Sequence, residues 1–257
     1  MQQENQVMNV LTPTVLKQGT VALCLSALMM STVNAAVVMT GTRVIFPANQ
    51  NEKTVYLQNK DSNPNIVQLW LDKGDESSTP ETADAPIIAN PQIFKMAPNQ
   101  GQMVRLVFTG DKSVLPTDRE SIFYMNFSEI PASKTGNADN NKLMIVFKNR
   151  VKVLYRPDRL AIPSHDMAKH ITYQWVANGQ QIKIQNNSPY YANLADLNIE
   201  NAGQKKQIAK NQMIAPYSSK EWSNPLKATH TTATKISINL INDYGVSMSS
   251  EITPNTE

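Results

Sequence analysis

Two β-sandwich domains behind a secretory leader are what this sequence predicts, on three observations. Short runs of alternating apolar residues are separated by polar or proline-containing turns, as in half-buried strands. No stretch holds a helical period between caps, so βαβ units and the dinucleotide sites they build are not expected. The 257 residues also suffice for two ordinary cores, since domains run to roughly 100–150 residues.

The leader comes first in the chain. Val21 to Met30 is an apolar run preceded by Lys17 and followed by Ser31-Thr32-Val33-Asn34-Ala35. It is too short to span a bilayer, which takes roughly 20 apolar residues. Val33-x-Ala35 places small residues where a signal peptidase reads them, so residues 1–35 are assigned to the leader and Ala36 to the mature start. The segment ahead of Lys17 is long and contains Glu4, which leaves Met8 open as the initiator beside Met1. Cys24, the single cysteine, lies inside the leader; its Leu23 neighbour does not suit lipid attachment. A mature chain without cysteine must hold its sandwiches by burial and hydrogen bonding alone. Loss of Lys17 and Glu4 together leaves the net charge at +3, too small to argue for nucleic acid or an anionic membrane as partner.

The clearest strand runs are then Val37 to Pro47, Thr54 to Asn59, Ile66 to Leu71, Gln102 to Phe108, Ile122 to Phe127 and Leu143 to Tyr155. Turn formers divide them, among them Asp61-Ser62-Asn63-Pro64 and Ala97-Pro98-Asn99-Gln100-Gly101. A second set follows at His170 to Ala177, Gln181 to Asn186, Tyr191 to Ile199 and Ile236 to Ile241. Prolines at 157 and 163 bracket the change, because proline cannot donate to a ladder. The expected division is a first sandwich over 36–157, a hinge over 158–163 and a second sandwich over 164–257.

Catalytic patterns are missing. Gly110-Asp111-Lys112-Ser113 resembles the end of a phosphate loop, but Asp111 stands where glycine must let the backbone close, so it reads as a surface turn and ATP is not expected. No G-x-S-x-G elbow occurs, and His165, His170 and His230 lack metal-ligand spacing, so neither a metal nor another cofactor is expected. The sequon at Asn126 falls within a strand, a poor place for a glycan.

Family resemblance becomes specific at Leu115-Pro116-Thr117-Asp118-Arg119-Glu120-Ser121-Ile122-Phe123-Tyr124-Met125-Asn126-Phe127-Ser128-Glu129-Ile130-Pro131, which resembles the signature of the PapD-like periplasmic pilus chaperones. Further pieces follow the family order: Thr42 to Phe46, Arg150 to Pro157, Asn187 to Tyr191 and Ile241 to Gly245. Phe127 departs from it, standing where the family more often has a smaller aliphatic residue. The resemblance implies two immunoglobulin-like sandwiches at an angle with a cleft between them. It also implies a periplasmic, non-enzymatic role: binding pilus subunits, which expose a groove and unpaired strand edges, and passing them to an outer-membrane usher by strand exchange without ATP. The exposed donor strand would equally allow self-association of the free protein.

Within that frame Leu143, Ile145 and Phe147 recur with period two and are expected to fill the subunit groove, at about 1.5–3 kcal/mol for each fully buried side chain. Met144 and Val146 alternate with them, so one face is expected to pack the protein's own sandwich and the other to serve the subunit. Lys152 has the opposite parity to Leu143, so both reach the subunit only if a bulge or twist intervenes. Arg43 and Lys152 match the family positions that bind the subunit's C-terminal carboxylate, and Glu120, Arg156 and Asp243 match a set paired across the domain boundary. The short Ser133 to Asn141 loop resembles the subclass serving rod-forming pili. The competing readings are a structural pilin or adhesin, which would want a donor extension and commonly a cysteine pair, and an exported enzyme.

Overall fold

The apolar run Val37 to Pro47 is two strands rather than one. Gly41, at φ +91°, turns the chain between β1 (Val37–Met39) and β2 (Arg43–Pro47), and the two join different sheets. The computed structural model describes residues 37–131, 146–226 and 234–255, all within one compact unit spanning Ala36–Glu257. The expected leader, Leu143, Ile145 and the Ser133 to Asn141 loop lie outside the described residues.

In the first sandwich, β1 pairs with β3 (Glu52–Asn59), β3 with β7 (Gly101–Phe108), and β7 with β5 (Ile87–Asn90), forming a four-stranded sheet. The facing sheet has the order β2, β9 (Phe147–Arg156), β8 (Ser121–Pro131), β4 (Asn65–Asp72) and β6 (Ile93–Met96). Alternation along these strands sends Val44, Phe46, Leu57, Leu106, Met125, Val153 and Tyr155 into one core. Its aromatic centre is Phe46, Phe108 and Tyr155, with ring centroids 5.1–6.4 Å apart. Phe127 is accommodated there at 2% exposure, as a packing residue.

A second core, holding Ile182, Ile184, Leu194, Leu197, Ile199, Ile236, Ile238 and Ile252, lies within the second sandwich. Its seven strands run in the order β13 (Gln204–Ile214), β12 (Ala192–Asn201), β15 (Lys235–Ile241), β16 (Ser247–Pro254), β10 (Ile171–Val176), β11 (Gln181–Asn186), β14 (Ser218–Ser223). Strand β16 pairs antiparallel with β15 up to Ile252 and then parallel with β10 through Thr253 and Pro254, carrying the sheet from one layer into the other. Strands β5, β6, β13, β14 and β16 have no counterpart among the expected runs. The last three are mostly solvent-exposed and polar, so burial leaves little alternation in their sequence. Between Arg156 and a 3-10 helix at Ser164–His170 the chain has no regular structure, and Leu160 and Ile162 pack on the second core.

Candidate functional site

Two faces of β9 organise the site. Odd-numbered Val151, Val153 and Tyr155 contribute to the first core, and even-numbered Lys152, Leu154 and Arg156 point the other way. Strand β2 lies parallel to β9 with Arg43 opposite Lys152, Ile45 opposite Leu154 and Pro47 opposite Arg156. Leu154 is 2% exposed yet belongs to neither core, because this outward face is covered by the second sandwich.

From that sandwich, alternate residues entering β12 reach across. The Glu120 amide donates to the Pro189 carbonyl, the Tyr191 amide donates to Glu120 Oε2 at 2.8 Å, and Asn193 Oδ1 accepts from Lys152 Nζ at 2.6 Å. The Asn193 amide nitrogen donates back to the Tyr191 carbonyl, which fixes its oxygen toward Lys152. The end of β15 supplies the rest: Arg43 Nη1 donates to the Ile241 carbonyl, and Arg156 forms a bidentate pair with Asp243 at 2.7 Å while its Nε donates to Glu120 at 2.8 Å. Ser164 Oγ adds a bond to Asp243. Gly245, at φ +82° in the turn after β15, comes so close to Thr42 that a Cβ there would lie 2.6 Å from its hydroxyl. A cavity of about 340 Å3 lies between Arg43, Leu154, Met167, Tyr190, Ile241 and Tyr244.

Glu120, Arg156 and Asp243 are thus brought together, from both sandwiches, as one ion-paired cluster of two carboxylates around a guanidinium. Burial pushes the Glu120 carboxyl up against the pull of Arg156, while at Asp243 the Arg156 bonds outweigh burial and hold the carboxyl below its ordinary range.

Arg43 and Lys152 are brought side by side, but differently. Among the described residues neither forms a salt bridge, and the Arg43 Nε is buried without a hydrogen-bond partner. Desolvation, and for Lys152 the neighbouring Arg43 as well, draws both pKa values down. The two cations thus lie side by side in a half-buried cleft, one of them with an idle donor.

Phe147 corrects the expected facing. Its register with β8 is unbroken from Phe147 opposite Glu129 to Tyr155 opposite Ser121, so no bulge intervenes and Phe147 lies on the core face with Val151, not on the face of Lys152. It is nevertheless 62% exposed, because it stands past the end of its own core. Strand β2 covers the second edge of β9 only from Lys152 onward; over Phe147 to Val151 no described strand pairs there.

A buried ion cluster nearby, absent from the sequence expectations, steadies this strand. Arg150 binds Asp72 with two bonds of 2.5 and 2.7 Å and stacks over Tyr124, while Asn126 and Ser78 also donate to Asp72. Asn126, the residue of the sequon, is fully buried in this role. These donors outweigh burial and hold the Asp72 carboxyl at about pKa 2. Because the folded value lies below the unfolded one, near 3.9, its stabilisation is complete above about pH 4 and is lost as pH falls through 2. Urea unfolding between pH 2 and 5 is expected to show this loss, and Asp72→Asn to flatten it; an unchanged slope in the variant would assign the acid sensitivity elsewhere. Lys112, in the phosphate-loop lookalike, donates to the carbonyls of Ala48 and Gln50 and begins a short 3-10 helix, Lys112–Val114. Among the described residues no group of three His, Cys, Asp or Glu is placed to hold a metal, and no helix is long and apolar enough to cross a membrane.

Comparison with known proteins gives the family of this paired-sandwich protein. Residues 36–161 match the N-terminal domain of the pili and flagellar-assembly chaperone PapD, and residues 166–252 match the C-terminal domain of the pili assembly chaperone PapD. The chain belongs to this family of assembly chaperones, which are not enzymes. It is similar to the chaperone protein HifB of Haemophilus influenzae, at 34% identity over 90% of this chain and 92% of HifB. It is also similar to the probable fimbrial chaperone YadV of Escherichia coli K12, at 33% identity over 88% of this chain and 94% of YadV. The crystal structure of YadV superimposes with a TM-score of 0.71, covering 84% of this chain and 98% of that one, at 29% identity. The SafB chaperone in its complex with the Salmonella enterica SafA pilin gives a TM-score of 0.68 at 26% identity, covering 86% of this chain and 97% of that one.

Proposed function

We propose that this chaperone captures pilus subunits in the periplasm by completing their sandwich with β9 and the segment before it, and hands them to an outer-membrane usher. The observation that carries the reading is the Arg43–Lys152 pair, left without a carboxylate at the point where the second edge of β9 opens. A subunit strand on that edge lies in the lane of β2. For its terminal carboxylate to meet Arg43 at the start of β2, it must run parallel to β9 and end at the level of Lys152. Leu143, Ile145 and Phe147 then continue the core face of β9 into the subunit's groove, one face serving two cores in succession. The Glu120–Arg156–Asp243 cluster holds the sandwiches at the angle that forms the cleft, about a hinge at residues 158–163. The SafA–SafB complex, a pilin with its chaperone in a neighbouring structure, supports a subunit as the occupant.

Co-expression with a fimbrial subunit tests this, a one-to-one complex being expected. Phe147→Asp is expected to leave the melting temperature within about 2 °C of the parent, since the side chain is exposed, and to lose the complex. A variant that still captures the subunit overturns the donor assignment, and one that unfolds shows Phe147 to be core instead.

A further inference from the structure

Each cation of the cleft donates to a neutral oxygen of the second sandwich: Arg43 Nη1 to the Ile241 carbonyl at 3.0 Å, and Lys152 Nζ to Asn193 Oδ1 at 2.6 Å. The first acceptor is backbone and would be present whatever residue stood at 241. The second is a side chain, 2% exposed, at a place where an aspartate would have nearly the same size. Asn193 is aimed by its neighbours. Ala192 and Leu194 point into the second core, so strand alternation turns Asn193 to the other face of β12, toward the first sandwich. Its amide nitrogen donates to the Tyr191 carbonyl at 2.9 Å, which leaves the oxygen for Lys152. The Tyr191 amide in turn donates to Glu120, and Glu120 accepts from Arg156. A continuous chain of hydrogen bonds therefore runs from the ion cluster at the domain boundary to the Lys152 ammonium.

Desolvation and the neighbouring Arg43 both disfavour the charge on Lys152, so a carboxylate at 193 would be the stronger partner. An amide gives direction without countercharge. We propose that Asn193 is a positioning residue for subunit capture: a neutral acceptor, supplied by the second sandwich, that aims the Lys152 ammonium at the subunit's terminal carboxylate and leaves its charge for that carboxylate to neutralise. An aspartate there would hold the same ammonium in an internal ion pair and turn the anchor off. The second sandwich thereby takes a direct part in recognition, beyond covering the cleft. Asn193 has this role only if the Arg43–Lys152 pair receives a carboxylate, as proposed above.

The test is binding of a peptide copying a subunit's last strand, with a free or an amidated C-terminus, to the parent chaperone and to its Asn193→Leu and Asn193→Asp variants. The readout is the ratio of the two affinities, which a merely structural role for Asn193 would leave unchanged. The preference for the free acid is expected to fall about 3- to 10-fold in Asn193→Leu, the size of one neutral hydrogen bond, and about 10-fold or more in Asn193→Asp. In a Lys152→Met background, Asn193→Leu is expected to change the ratio less than about 2-fold, because the group it aims is gone. A parent-like ratio in either variant, or an undiminished Asn193→Leu effect in the Lys152→Met background, overturns the positioning role. Should one variant not fold, the other decides. A parent that binds both peptides equally overturns the carboxylate anchor itself, and the role of Asn193 falls with it.

Discussion

With Arg43 and Lys152 both changed to methionine, capture of a fimbrial subunit is expected to fall at least about 100-fold while the free chaperone melts close to the parent. Each charge-assisted bond to a carboxylate contributes about 1.5–3 kcal/mol, which is roughly 10- to 150-fold in affinity for each cation. Stability should suffer little, because the two cations repel one another, are desolvated, and make no salt bridge among the described residues, Asp243 and Glu120 attracting Arg43 only at longer range. Apolar side chains of similar length remove that cost. The discriminating ligand is a peptide of a subunit's last strand with either a free or an amidated C-terminus. The parent should favour the free acid strongly, and the double variant should bind both equally and weakly. Undiminished capture, or a parent that ignores amidation, would remove the carboxylate anchor from the account.

The fold class was legible because burial writes a period of two into strands such as β3, β7 and β11, and the second strand set was bounded correctly at Gln181–Asn186. Strands whose ladder is made mainly by backbone left no such trace: β13 and β14 pair along their length while exposing most of their side chains. The run at Val37 to Pro47 misled for a related reason, since both halves alternate properly and only the φ of Gly41 separates them. At the site, residue identities came from resemblance, but their geometry did not. Nothing in the order Phe147 to Lys152 says whether a bulge intervenes, and the unbroken register with β8 turned the expected two-faced strand into one whose core face runs on past its own domain. The Asp72–Arg150 pair was invisible because its partners are 78 positions apart and meet only through sheet register. A signal for it existed: Asp72 ends an apolar run and Arg150 interrupts another, two charges where burial was expected.

Arg156→Ala is expected to be the most destabilising single change at the domain boundary, at about 3–5 kcal/mol, because it leaves Glu120 buried with the Tyr191 amide and, among the described residues, no salt-bridge partner. The Arg156 guanidinium also packs over the Tyr190 ring at 5.0 Å, so packing is lost with charge. The pH dependence identifies the cause. Burial already raises the Glu120 carboxyl, and removal of the opposing Arg156 raises it further. A carboxyl whose folded pKa exceeds its unfolded value binds more protons when folded, so the variant should be more stable near pH 5 than near pH 8. Calorimetric melts across that range should show the deficit growing with pH. The triple neutral variant Glu120→Gln, Arg156→Met, Asp243→Asn separates stability from orientation. With no unpaired carboxylate left, most of the melting temperature should return, but the sandwiches lose the two hydrogen bonds of the bidentate Arg156–Asp243 pair. Small-angle scattering should then report a broader range of interdomain angles, and subunit capture should stay impaired despite restored stability. If the triple variant captures subunits as well as the parent, the cluster contributes stability alone, and the cleft is held by the packing of Leu154 and the approach of Gly245 to Thr42.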